Sequence, residues 1–148
     1  MDGHLVASIP YDEVAMKLGL TLGVGLLLGL EREWSQKEAG VRTFAITALL
    51  GTLTALASIW AVLLAFGSIS LLVVLMNAQS IIKKKSLEIT TSVTLLVTLT
   101  LGVLIGQGHY FTAISAAILM TLLLSFTQWR EPKLRVLSQV AYNRNSVQ

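Results

Sequence analysis

The side chains of this chain best equipped for chemistry stand in one short stretch. Glu31, Arg32 and Glu33 are consecutive, and Arg42 follows eleven residues after Glu31, with Thr43 beside it. Two carboxylates could help hold a divalent cation. Magnesium takes oxygen ligands but keeps much of its water shell, so Glu31 and Glu33 would need water or another chain to complete the set. Acids beside guanidinium groups can instead form ion pairs. Arg42 paired with Glu31 or Glu33 would lock two helix ends side by side, where the dielectric is falling and charge-assisted bonds strengthen. Contact with a partner protein is a third use. The spacing favours ion pairing, with partner contact and a cation site as the alternatives.

A second set is hydroxylic. Thr91, Thr94 and Thr98 stand at i, i+3 and i+7, on one face of a helix. Such a polar seam could line a narrow path or meet another helix. The commoner arrangement has each hydroxyl bonded to a carbonyl one turn earlier on its own helix. The absence of cysteine removes disulfides, thiolate nucleophiles and cysteine-based metal sites. His4 and His109 are isolated. No nucleophile, base and acid stand together, so the expectation is a protein that is not an enzyme and carries no cofactor.

The elements that position these groups must be membrane helices. Of 148 residues, 54% are hydrophobic and 13% charged, whereas soluble domains carry roughly 25% charged residues. Mean hydropathy is +0.74, and the apolar blocks exceed the ~17 residues a helix needs to cross a bilayer core of ~30 Å. The sequence predicts an all-α integral membrane bundle in contact with lipid. A net charge of +3 could suggest nucleic acid. The basic residues cluster beside apolar blocks, however, which fits membrane topology and not a nucleic-acid surface. Residues 1–13 have no basic region ahead of the first apolar block, so no removable signal peptide is expected.

The first span is expected over Val14 to Leu30, with Pro10 and Asp12 as start signals. Gly19 with Gly23 and Gly25 with Gly29 form two Gly-x-x-x-Gly pairs that would admit another helix closely. A charged hairpin, Glu31 to Arg42, follows. The next apolar stretch, to about Ile82, is about forty residues long, too long for one crossing at ~1.5 Å per residue. It must fold back, near Ser58 to Trp60 or at Gly67-Ser68. Charge bias supports five crossings, since the hairpin, Lys83 to Lys85 and the tail after Trp129 then share the cytoplasmic side, leaving only Lys17 opposite. Tyr11, Trp60 and Tyr110 would mark the outer boundary, Trp34 and Trp129 the inner one, which favours the turn near Trp60. The second span, Thr43 to Ala57, is then short. The fourth runs from Leu87 to Gly106, with Gly102 and Gly106 as another close-approach pair, and the fifth from Phe111 to Gln128. Residues 14–129 make the membrane domain and 130–148 a basic cytoplasmic tail, in which Leu134, Val136, Leu137 and Val140 could line an amphipathic helix.

Gly25 to Glu33, followed by Ala39-Gly40-Val41-Arg42-Thr43 and then Gly51, resembles the signature of the MgtC/SapB family N-terminal membrane domain. That signature reads approximately G-x-x-x-G-x-E-R-E, then A-G-[LV]-R-T and a further glycine, and the resemblance covers about Val14 to Pro132. The fourth span opens Glu88-Ile89-Thr90-Thr91-Ser92, keeping only the threonines of the family's Gly-Leu-Thr-Thr motif. Asn77-Ala78-Gln79-Ser80 stand where the virulence-associated members have a glycine-rich segment. The chain is similar to the branch in which this domain precedes a second membrane domain, and it stops where that domain would begin. The resemblance implies a multi-pass protein of the bacterial inner membrane with about five helices, linked to magnesium homeostasis, stress adaptation and modulation of membrane ATP synthase. Two functional readings follow. One is a non-enzymatic protein acting through helix contacts, with itself as a homo-oligomer or with another membrane protein. The other is an oligomeric transport or channel component for magnesium or another cation.

Overall fold

A computed structural model describes residues 11–34, 39–82 and 89–126. Five helices account for nearly all of them: α1 (Tyr11–Trp34), α2 (Val41–Ala57), α3 (Ile59–Ile82), α4 (Ile89–Gly106) and α5 (Tyr110–Phe126). Among the described residues there is no strand, and the fold is an all-α membrane bundle. By length and composition α1, α3 and α4 can each cross a membrane, while α2 and α5 are shorter apolar helices. At ~1.5 Å per residue, the 24 residues of α1 and α3 reach ~36 Å and the 17 of α2 only ~26 Å. Lys83 to Lys85, Trp129, the expected tail helix and the expected segment before Tyr11 lie outside the described residues.

Helix α1 opens with Asp12 and Glu13 in its first turn, where carboxylates complement the positive end of the helix dipole. It runs one turn beyond the expected Leu30, because nothing in Glu-Arg-Glu-Trp breaks a helix. Glu31, Arg32 and Glu33 are therefore helical and do not belong to a loop.

The long apolar stretch folds back at a single residue. Ser58 is extended, with φ −173° and ψ 162°. Its N–H donates to the Thr54 carbonyl at 3.1 Å, closing α2, and its hydroxyl accepts from the Ala61 N–H at 3.2 Å, opening α3. Gly67 and Ser68, the other possible turn, lie inside α3. Between α4 and α5, Gly108 has φ +88°. That left-handed residue lets the His109 and Gly108 N–H groups reach back to the Leu104 and Ile105 carbonyls at 2.8 and 3.0 Å, which ends α4 in a Schellman turn.

Helix α2 is the centre of the bundle. Its contacts with α1 pair Gly29 with Val41 and Gly25 with Ala45, so those two helices are antiparallel. Its contacts with α4 pair Gly51 with Leu99 and Ala55 with Gly106, so those two are parallel. Tyr11, Trp60 and Tyr110 thus fall at one end of the bundle and Trp34 at the other, the distribution expected of an aromatic belt. Side chains such as Leu28, Phe44, Leu95, Leu99 and Ile105 fill the interior. Helix α3 lies outside, with only 11% of its apolar window buried. Asn77 Nδ2 donates to Ser92 Oγ at 3.1 Å and ties it to α4. Leu63, Leu64, Leu71 and Leu75 of α3 face outward, as suits a surface solvated by lipid.

Candidate functional site: the α1–α2 end and the glycine-threonine core

The glycines divide into two groups. A methyl group added to Gly29 would lie 2.6 Å from Val41 Cα, and one on Gly25 would lie 2.8 Å from Ala45 Cα. On the other side of α2, a methyl on Gly51 would collide with the Leu99 carbonyl, and one on Gly102 with the Ala48 carbonyl. A methyl on Gly106 would lie 2.6 Å from Ala55 Cβ. These five residues let α1, α2 and α4 touch backbone to backbone, as small residues do between membrane helices. Gly19 and Gly23, the first pair in sequence, have no such neighbour: a methyl on either meets nothing within 4 Å. They turn away from the core.

Between the two glycine contacts lies a hydrogen-bonded crossing that spacing alone does not reveal. Thr21 Oγ1 of α1 lies 2.6 Å from Thr52 Oγ1 of α2, and Thr52 Oγ1 donates to the Gly102 carbonyl of α4 at 2.8 Å. Thr21 Oγ1 also reaches the Lys17 carbonyl at 2.7 Å. Two hydroxyl protons serve these three contacts. In any one arrangement two of them are therefore hydrogen bonds: Thr21 to Lys17 with Thr52 to Gly102, Thr52 to Thr21 with Thr21 to Lys17, or Thr21 to Thr52 with Thr52 to Gly102. Both threonines are fully buried.

The threonine seam of α4 is buried too, with Thr94 and Thr98 fully inaccessible and Thr91 nearly so. Thr94 Oγ1 donates to the Thr90 carbonyl and Thr98 Oγ1 to the Thr94 carbonyl, each at 2.7 Å. The seam therefore packs inside the helical core, with these two hydroxyls satisfied on their own helix. Substitution separates the two kinds of hydroxyl. Thr52→Val should cost about 1 kcal/mol, within the ~0.6–1.7 kcal/mol range of interhelical bonds in membranes. Thr98→Val should cost less, because it removes a bond internal to α4. Denaturation midpoints of the purified variants in detergent check this, and equal losses would contradict it.

At the far end of α1 the charges are arranged differently from the cross-hairpin pairing that the spacing suggests. Arg32 Nε donates to Glu31 Oε2 at 2.6 Å and Arg32 Nη2 to Glu31 Oε1 at 3.1 Å. The two residues retain 3% and 5% of their exposure, so this is a buried bidentate pair between sequence neighbours. Consecutive helical residues normally diverge, and here both side chains bend into one contact. Arg42, the expected partner, is exposed in the first turn of α2, as is Thr43. Glu33 is also exposed, and its Oε2 lies 3.8 Å from the position a Cβ on Gly40 would take. Gly40 is the N-cap of α2 and offers no side-chain cap, so the carboxylate stands where the helix dipole favours a negative charge.

This geometry separates the two carboxylates considered for a cation. Residues two apart on a helix point ~200° apart, and both Glu31 oxygens face the Arg32 guanidinium. Among the described residues no group of three or more acidic, histidine or cysteine side chains gathers as a metal site. Sequence reasoning also misses Lys17. Its side chain is buried and pairs with Glu13 one turn earlier at 2.8 Å. The signal is present, since Lys17 is the one charged residue inside the expected first span. Counting it only toward the charge bias between the two sides hides it.

Comparison with known proteins places this architecture. One family model, that of the MgtC family, matches residues 18–132, a stretch that includes α2, α3, α4 and α5 whole and most of α1. No curated protein and no solved structure matches the chain.

Proposed function

We propose, starting from the fact that this chain belongs to the MgtC family, that it is a non-enzymatic, multi-pass protein of the bacterial inner membrane that acts through contacts with a partner membrane protein or a second copy of itself, in adaptation to low magnesium. The observation that carries this reading is the division of the charged motif. Gly25 and Gly29 hold α1 against α2, and Glu31 and Arg32 are buried in a pair with each other. Glu33, Trp34, Arg42 and Thr43 are exposed at the same end.

Exposed charges around an aromatic residue make a rim that another protein can recognise. In this reading the chain crosses the membrane five times, with the N-terminus outside and the motif end cytoplasmic, following the positive-inside rule. The buried seam of α4 supports a packing role over transport, since Thr94 and Thr98 bond their own helix.

The test uses a bacterial strain lacking its own copy, grown in low magnesium. The wild-type chain should restore growth. The Glu33→Ala/Arg42→Ala double variant should fail to do so, with unchanged membrane level and thermal midpoint. The purified wild type should pass no magnesium in liposomes. Full growth of the double variant, or a magnesium flux through the reconstituted chain, would overturn the reading.

A further inference from the structure

Burial along α3 stops partway. Val62 and Ala65, close to the Ser58 corner, are buried, and from Phe66 to Gln79 no side chain is. In that far part Phe66, Ile69, Val73 and Asn77 recur at three- and four-residue spacing as a half-buried stripe toward the bundle, and the other side chains face outward. Lipid tails are as apolar as these side chains, so leaving the bundle for lipid forfeits no hydrophobic burial; packing and interhelical hydrogen bonds do the holding. Asn77 Nδ2 on Ser92 Oγ, at 3.1 Å, is such a bond.

The place where burial stops is also where the helix bends most easily. Gly67 and Ser68 stand just past Ala65, and Gly/Ser pairs are among the sites at which helices kink. Ser68 Oγ donates to the Leu64 carbonyl at 2.8 Å, a bond back along the helix that favours bending. A methyl on Gly67 would meet nothing within 4 Å, so no close helix contact accounts for the glycine. Asn77 lies ten residues beyond Gly67, ~15 Å along the axis, and a bend of ~20° at the joint carries it ~5 Å sideways. That breaks its bond to Ser92.

We propose that α3 is a jointed helix. Residues 59–66 stay packed on the bundle, the part beyond Ser68 swings away from α4 about Gly67-Ser68, and Asn77–Ser92 is the latch that holds it closed. The moving end lies beside the start of α4, at the end of the bundle that carries Glu33, Trp34 and Arg42, and opening bares Ser92 there.

The chain has no cysteine, so pairs of nitroxide labels on introduced cysteines report the motion in the full-length protein in lipid nanodiscs. Helix α3 does not touch α1, and exposed positions on the two helices give one pair at each end: Ala78→Cys with Leu30→Cys at the latch, and Leu63→Cys with Met16→Cys at the packed end. Electron–electron distance measurements should give one distance for the packed-end pair, and for the latch pair a main distance with a second displaced by ~5 Å. Asn77→Leu should raise the ratio of the second distance to the main one about fivefold, as the loss of one interhelical bond does. Gly67→Ala/Ser68→Ala, which removes the glycine and the back-bond at a site with open space, should lower that ratio several-fold. A single latch distance in both the wild type and Asn77→Leu would overturn the proposal. So would a ratio unchanged by Gly67→Ala/Ser68→Ala, or equal displacement of both label pairs, which would assign the motion to the whole helix turning at Ser58.

Discussion

Gly102→Leu should unfold the bundle, and Gly102→Ala should destabilise it strongly, while Gly23→Leu leaves it folded. All these glycines lie in apolar helices of similar composition, so propensity does not separate them. Their surroundings do. The first atom of any side chain on Gly102 falls on the Ala48 carbonyl, with Gly51 Cα 3.2 Å away, and the reciprocal position on Gly51 falls on the Leu99 carbonyl. Those are backbone atoms of two packed helices and cannot rotate aside, so α2 and α4 would have to separate. Overpacking a core costs ~1–3 kcal/mol and sometimes more, and separating these helices would also break the Thr52 bond to Gly102. Gly102→Ala should therefore cost ~3 kcal/mol, the upper part of the overpacking range, a large share of a total stability of ~5–15 kcal/mol, and Gly102→Leu should cost more. Thermal midpoints by size-exclusion chromatography in detergent compare the variants. Similar losses at Gly23 and Gly102 would mean that the α2–α4 contact is wrongly assigned.

Removing one member of the buried pair should have the second large effect. Glu31→Ala leaves a guanidinium without its bidentate partner at an almost inaccessible position, and Arg32→Ala removes the same bidentate contact from the Glu31 carboxylate. Breaking a buried pair from one side typically costs ~3–5 kcal/mol, mostly for the stranded charge. Replacing both at once by apolar residues of similar size, Glu31→Leu with Arg32→Met, should recover much of that loss, because the desolvation of two charges disappears with them. Arg42→Ala should change stability by no more than about 0.5 kcal/mol, as is usual for an exposed site.

Much of the architecture can be read from residue type and spacing. The Tyr and Trp positions with the charge bias favour a turn near Trp60, and the chain turns at Ser58; the apolar blocks mark the helices, although α1 continues a turn past Leu30 through Glu31 to Trp34. What spacing does not carry is direction around the helix. Gly19 with Gly23 and Gly25 with Gly29 have the same four-residue spacing, yet only the second pair points at α2, because a neighbour's position depends on how three helices assemble. The Thr21–Thr52 contact needs that assembly as well. Once Gly25 is set against Ala48 as well as Ala45 in an antiparallel pair, one turn back along α1 and one turn forward along α2 from Gly25 and Ala48 brings the two threonines level. The Glu31–Arg32 pair escapes for the opposite reason. It is as local as a side-chain pair can be, and adjacent helical residues are the ones expected not to meet.

The central claim is that Glu31 is neutralised by its neighbour inside the bundle, which leaves Arg42 free for the surface. A pair of double-mutant cycles in detergent, Glu31 with Arg32 and Glu31 with Arg42, measures this directly. Coupling of about 2 kcal/mol or more in the first cycle, and within about 0.5 kcal/mol of zero in the second, is the predicted result. Strong coupling between Glu31 and Arg42, with little between Glu31 and Arg32, would contradict it and restore the ion pair across the hairpin.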